Sequence, residues 1–411
     1  AATNVAFPLT TICLAITLLI SIGSASRFSL SLGEGDADRA AQAVGNALAM
    51  MVLFGILYTL CIEIFLVPLL NAFGATQDVL PYAIEYTRIT AVGMPLLIIT
   101  NGMSNLARAD GSPNYSMMCM LIGAIINTIL DPLFIFKFHM GVRGAAFATV
   151  IGQFFSFLMA LYYVKKFTHI RLKKQHFILK PQVCLNIASL GMSNCLNQVA
   201  ITFVQIVMNN SLTYYGAKTI YGSEIPLAAS GIVMKTNGIL LSVIMGLSQG
   251  SQPIIGFNYG AKQYNRVKES YRLAITVGAI VSIVSFLLFQ IFPRQILGLF
   301  GSGSKEYFDF GVNYFRIFLL FTWLNFMQPI SSTFFSSIGK AYKGTFLSLT
   351  RQILFLLPLL LLFPRFWGIK GILYASPVAD VLSFAVGLAM VIHEFQLIRK
   401  LEVSEQNTTT F

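Results

Sequence analysis

Charge is what this 411-residue sequence has least of: Asp, Glu, Lys and Arg together make up 11% of it, against 56% hydrophobic residues. With a mean hydropathy of +0.72, that balance excludes a soluble enzyme. Signatures of nucleotide and hydrolytic chemistry are also missing. There is no GxxxxGK followed by Ser or Thr and no HExxH, and the one GxSxG, Gly246 to Gly250, lies inside an apolar run, so nothing points to ATP use or hydrolysis, and the chain reads as a non-enzyme that needs no cofactor. The five cysteines, Cys13, Cys61, Cys119, Cys184 and Cys195, form no CxxC pair and read as small helix-packing residues.

Long apolar runs fill the space that charge leaves. A membrane span needs about 20 mostly apolar residues, and eleven such segments recur, near 1–24, 41–71, 80–106, 114–136, 143–166, 182–214, 226–256, 267–292, 307–337, 343–364 and 369–397. Lipid offers the backbone no hydrogen-bond partner, so spans must be helices or closed barrels, and runs without strict alternation exclude a barrel. The fold class expected is all-α, a polytopic membrane protein.

The basic residues then set orientation. Seventeen Lys and Arg fall in one alternating set of loops, six of them (Lys165, Lys166, Arg171, Lys173, Lys174, Lys180) between the fifth and sixth segments, and seven fall in the other set. The richer set is cytoplasmic by the positive-inside rule. The net charge of +12 is therefore topological, and no nucleic-acid partner is expected.

The sequence also contains itself twice. A shift of 227 residues lays GVRGAAFATVIGQFFSF, 141–157, on GIKGILYASPVADVLSF, 368–384, with five identities in seventeen positions. With one residue of slip, Arg88 falls on Arg316 and Gly111 on Gly339. Ala1-Ala2-Thr3 lands on Ala228-Ala229-Ser230, inside the second helix of a repeat. The expectation is two pseudo-symmetric six-helix lobes, with the first helix of lobe one absent from this chain and eleven spans left. The lobes would run 1–175 (five of six helices) and 176–401 (six), followed by a polar, frayed tail at 402–411. Parallel repeats of this kind characteristically rock about a site near the bilayer midplane.

Ionisable groups at bilayer depth are costly and therefore candidates for function. They are Glu63, Glu85, Arg88, Asp131, Lys235, Arg316, Arg351 and Asp380. Lys235 and Asp380 lie about 13 and 16 Å from the outer ends of their helices and are expected to meet near the midplane, as a structural ion pair or as a pair that opens during a transport cycle. Asp131 closes the stretch Asn127-Thr128-Ile129-Leu130-Asp131-Pro132. The i, i+4 spacing puts Asn127 and Asp131 on one face, and Pro132 frees a carbonyl one turn back. That set suits a cation or a proton; a capped, kinked helix is the plainer reading. Glu85 and Arg88, three apart on one helix, are expected to neutralise each other as a structural charge pair. Asn194, Gln198, Gln205 and Asn209 form a stripe within about 60° on one helix face, which reads as a cavity wall or as interhelical hydrogen bonding.

Three stretches then resemble a known family: Leu106 to Pro113 (LARADGSP), Asn127 to Pro132, and Gly250 to Lys262 (GSQPIIGFNYGAK). With Gly141 to Gly144 and the duplication, they are similar over essentially the whole chain to the multidrug and toxic compound extrusion (MATE) family, in a bacterial branch similar to staphylococcal multidrug efflux pumps. The resemblance implies a twelve-helix, monomeric antiporter of the bacterial plasma membrane that exports cationic, amphipathic small molecules in exchange for H+ or Na+ by rocker-switch alternating access. It implies that Asp131 matches an acidic residue used for cation or substrate binding, with Na+ near it as the candidate metal. Lys235 and Asp380 fall where related pumps carry a basic and an acidic group. Some branches place a carboxylate in the first helix of either half, and the 182–214 helix has none, so H+ and Na+ both stay open. A flippase for lipid-linked cell-envelope precursors is the alternative, and it would favour a basic cavity for pyrophosphate.

Overall fold

A computed structural model of the chain describes residues 2–73, 77, 79–300 and 303–409, with side chains described only between residues 6 and 403. Every regular element in it is helical: α1 Ala2–Gly33, α2 Ala37–Ala72, α3 Leu80–Ala109, α4 Pro113–Pro132, α5 Gly141–Tyr163, α6 Pro181–Gly216, α7 Glu224–Gly260, α8 Tyr264–Ile291, α9 Pro293–Leu299, α10 Lys305–Phe318, α11 Met327–Ser337, α12 Ala341–Leu349, α13 Leu357–Trp367 and α14 Ile369–Thr409. Wide π turns at Leu133–Lys137 and Thr350–Leu356 extend α4 and join α12 to α13. Ten helices among the described residues are long and apolar enough to cross a membrane. The all-α polytopic expectation holds. Large apolar side chains such as Ile64, Ile129 and Leu273 stand exposed on these helices, the surface a lipid solvent requires.

The segment at 307–337 is not one continuous helix. It breaks between α10 and α11, where Leu320, Thr322, Leu324 and Asn325 each donate to the carbonyl three residues back. Pro329 explains the position. In an unbroken helix it would remove a backbone bond and clash one turn back, whereas the break places it in the first turn of α11, where its missing N–H costs nothing. At the other end, α14 continues through the segment expected to be a frayed tail, as far as Thr409.

The chain divides into two compact units, Ala1–Val199 with Tyr259–Lys262 and Ser336–Ala341, and Ala200–Asn258 with Gln263–Phe335 and Tyr342–Phe411. In the first, α3 packs against α1, α2, α4 and α5. Small residues let these helices close up: a Cβ on Gly152 would stand 2.6 Å from the backbone oxygen of Gly123. The basic segment after α5 is fastened down as a strap. Asp110, buried at the end of α3, accepts from Tyr163 Oη (2.9 Å), Thr168 N (2.8 Å) and His169 Nδ1 (2.9 Å). Asn46, fully buried on α2, donates to the carbonyls of His176 and Ile178 and accepts from Lys180 N at 2.7 Å.

In the second unit α14 packs on α13 and α10. Its buried Glu394 takes the Lys343 ammonium at 2.6 Å. Tyr271 of α8 bonds Ser331 of α11 at 2.7 Å.

Candidate functional site

In the first unit, α3, α4 and α5 surround a cavity of about 190 Å³ lined by Leu97, Thr100, Asn101, Met120, Gly123, Ala124, Asn127, Thr149, Gln153 and Ser156. Small residues open it: Gly123 and Ala124 form the α4 wall, and bare Gly93 of α3 leaves room for the Gln153 carboxamide, whose oxygen a Cβ there would strike. Asn127 Nδ2 reaches across to Thr149 Oγ1 at 3.4 Å, the long end of a hydrogen bond.

Several polar atoms here are buried without a partner, among them Thr100 Oγ1, Gln153 Oε1 and, one helical turn beyond Asn127, Asp131 Oδ1. Buried polar groups are almost always paired, so each exception needs an account. Two of these three atoms can only accept when the carboxyl is ionised, and Thr100 Oγ1 carries lone pairs as well. Thr100 Oγ1 and Gln153 Oε1 lack donors next to the open volume, and Asp131, which does not itself line it, carries its unpaired oxygen one turn past Asn127 on α4; acceptor oxygens of this kind suit a proton or a monovalent cation. The face shared by Asn127 and Asp131 is the one read from the sequence. Thr100, Asn101, Thr149 and Gln153 were not singled out there; the available signal was the rarity of amides and hydroxyls inside apolar runs, which does not say which way they point.

Two pairings differ from expectation. Glu85 and Arg88 do not neutralise each other: Glu85 pairs with Arg143 at the start of α5, and Arg88 Nε lies 3.4 Å from Glu63 Oε2 of α2. The i, i+3 spacing made them neighbours on α3, but α2 and α5 flank that helix and each draws one charge away. Asp380 does not meet Lys235 either. It is buried (1% exposed) and accepts from Arg351 Nε at 2.7 Å, while Arg351 Nη2 lies 3.4 Å from Ser376 Oγ. Lys235 is exposed and makes no ion pair among the described residues. Depth along a helix had matched these two residues, but depth says nothing of rotation about the axis.

The polar stripe of α6 divides between the units. Asn194 lies in the first, buried, and donates to Ser193 Oγ at 3.3 Å; Gln205 and Asn209 lie in the second, where Gln205 Nε2 donates to Asn209 Oδ1 at 2.9 Å. Gln198 is half-buried in the first unit. None of the four lines the cavity between α3, α4 and α5.

Comparison with known proteins agrees with this architecture. The chain is 25% identical to an FAD transporter of Shewanella oneidensis over 93% of this chain and 84% of that protein. It is 22% identical to the multidrug export protein MepA of Staphylococcus aureus over 95% and 84%. Its fold matches an outward-facing multidrug resistance MATE family transporter of the MOP superfamily with a TM-score of 0.90 at 21% identity, over 97% of this chain and 88% of that one. A MATE structure in the bent conformation also gives 0.90, at 20% identity over 98% and 88%. The MatE family model matches residues 1–133 and 186–362; with that match and the paired helical repeats, the chain belongs to the MATE family of multi-pass membrane efflux transporters.

Proposed function

We propose that this transporter is an antiporter that exports cationic, amphipathic small molecules across the bacterial plasma membrane in exchange for H+ or Na+, with Asp131 and Asn127 holding the exchanging cation. The observation that carries the reading is the buried, partnerless Oδ1 of Asp131, one turn from a cavity with its own unpaired acceptors. An ionised carboxylate with a buried, unpaired oxygen is costly, and a bound cation or proton offsets the cost. Because the two states differ in charge, occupancy biases the conformational equilibrium, which is what coupling requires. Among the described residues no Lys or Arg lines the cavity, which suits a cation there and not an anion.

The test is ethidium efflux from proteoliposomes under an imposed proton gradient and, separately, a sodium gradient. One of them drives saturable efflux, and Asp131→Asn abolishes it in a protein that remains folded. Undiminished efflux in that variant would remove Asp131 from the mechanism.

A further inference from the structure

The 227-residue shift that relates the two copies places Gln153 on Asp380, Thr149 on Ser376 and Ser156 on Ser383. The first member of each pair lines the first-unit cavity. The same shift places Ala124 on Arg351, and the one-residue slip seen at Gly111 and Gly339 places Gly123 there instead. Both Gly123 and Ala124 are wall residues of that cavity. So where the first unit has a residue of at most one side-chain carbon, the second has an arginine, and that arginine bonds two of the three counterparts, Asp380 and Ser376.

The carboxylate is not fully satisfied by it. Asp380 Oδ2 is buried with no hydrogen-bond partner, as is its repeat mate Gln153 Oε1. Arg351 also leaves the helix in an unusual place, within the π turn Thr350–Leu356, a local widening that recurs at functional positions.

We propose that Arg351 is a tethered cation occupying a second, pseudo-symmetric cation site made by Asp380 and Ser376, so that this site is closed to free ions while Arg351 is seated and opens to a small monovalent cation when it is removed. Arg351 is then the residue that decides which unit exchanges an ion. Taken with the reading of Asp131, one exchangeable cation per chain follows, although the site itself stands on the second unit alone.

The structure offers a plain alternative, that Arg351 and Asp380 are only an ion pair holding α14. The two separate in the arginine-deleted protein. Removing one member of a buried pair leaves an uncompensated charge, and a site built for a cation refills from solution. The protein carrying Arg351→Ala is purified in detergent, and its thermal unfolding is followed with guanidinium chloride or sodium chloride at low millimolar concentration, choline chloride serving as the ionic-strength control. The comparison is Arg351→Ala against Arg351→Ala/Asp380→Asn, whose first units are identical, so the state of Asp131 cancels. Saturable stabilisation of the single variant by guanidinium or sodium, absent with choline and absent in the double variant, is the expected result; which of the two cations acts identifies the ion. Equal responses of the two variants, or none in either, overturn the proposal. Should Arg351→Ala not fold, Arg351→Gln, which keeps most of the side-chain volume without the charge, is measured in the same way against its own Asp380→Asn double variant.

Discussion

Asn127 and Thr149 face each other across α4 and α5 with 3.4 Å between Nδ2 and Oγ1, a contact too long to hold the two helices together on its own. Thr149 Oγ1 is at the same time committed as a donor to the Ala145 carbonyl at 2.9 Å. Its remaining lone pairs, with Asn127 Oδ1, are therefore acceptors. A cation bound there would draw both oxygens in. Thr149→Val, which keeps shape and removes the hydroxyl, is expected to raise the sodium or proton concentration needed for half-maximal efflux about tenfold while leaving thermal stability nearly unchanged, since the lost hydrogen bond is weak. Coupled efflux measured against ion concentration checks it, and an unchanged midpoint would take Thr149 out of the site.

The pairs at the rim of the first unit make a prediction about coupling, not activity. Glu63–Arg88 and Glu85–Arg143 are partly exposed, with Arg88 65% and Arg143 60% exposed, so each contributes little to stability. Double-mutant cycles of unfolding are expected to give a measurable interaction for each of these pairs and none for Glu85 with Arg88. A Glu85–Arg88 coupling as large as the other two would restore the pairing along α3.

How much of this was legible in the sequence follows from which interactions are local. The helices were, because lipid leaves a backbone no other way to bond itself, and apolar runs are visible in one dimension. The face shared by Asn127 and Asp131 was, because i, i+4 is a local relation. The partners of Glu85, Arg88 and Asp380 were not: each lies on another helix, and side-chain choice among flanking helices depends on rotation about axes that hydropathy does not encode. The break before α11 was half visible, since Pro329 marks where a helix begins but its apolar neighbours disguise the gap. The correspondence of Gln153 with Asp380 lay in the alignment throughout and had no meaning until the structure showed a cavity around one and an arginine against the other.

Asn46 anchors the strap at His176 and Ile178 by donating to two carbonyls and at Lys180 by accepting from its amide. Asn46→Ala takes this partner from three backbone groups, the buried His176 carbonyl and the part-buried Ile178 carbonyl and Lys180 amide, a loss of about 1 to 3 kcal/mol for each group that water cannot reach. Asn46→Asp is the sharper variant. It keeps the acceptor for Lys180 but sets a carboxylate oxygen against two carbonyls inside the protein, so it is expected to lower the melting temperature more than the alanine does. The two melting curves decide it; a more stable aspartate variant would mean that water reaches the strap.

Gly152 makes the last and most diagnostic change. A methyl group there would approach the Gly123 oxygen to 2.6 Å and the Asn127 Cβ to 3.3 Å, and since the obstacle is backbone, α4 must move away from α5. Overpacking of this kind costs about 1 to 3 kcal/mol, tolerable for a large helical protein, but the displaced helix carries both Asn127 and Asp131. Gly152→Ala is therefore expected to keep the chain folded and in the membrane while cutting gradient-driven efflux at least tenfold. A smaller residue on the opposite wall offers no relief, because Gly123 already has no side chain to give up. Full efflux with normal expression would show that α4 can shift without disturbing transport, and that the separation of these two helices is not what sets the geometry around Asp131.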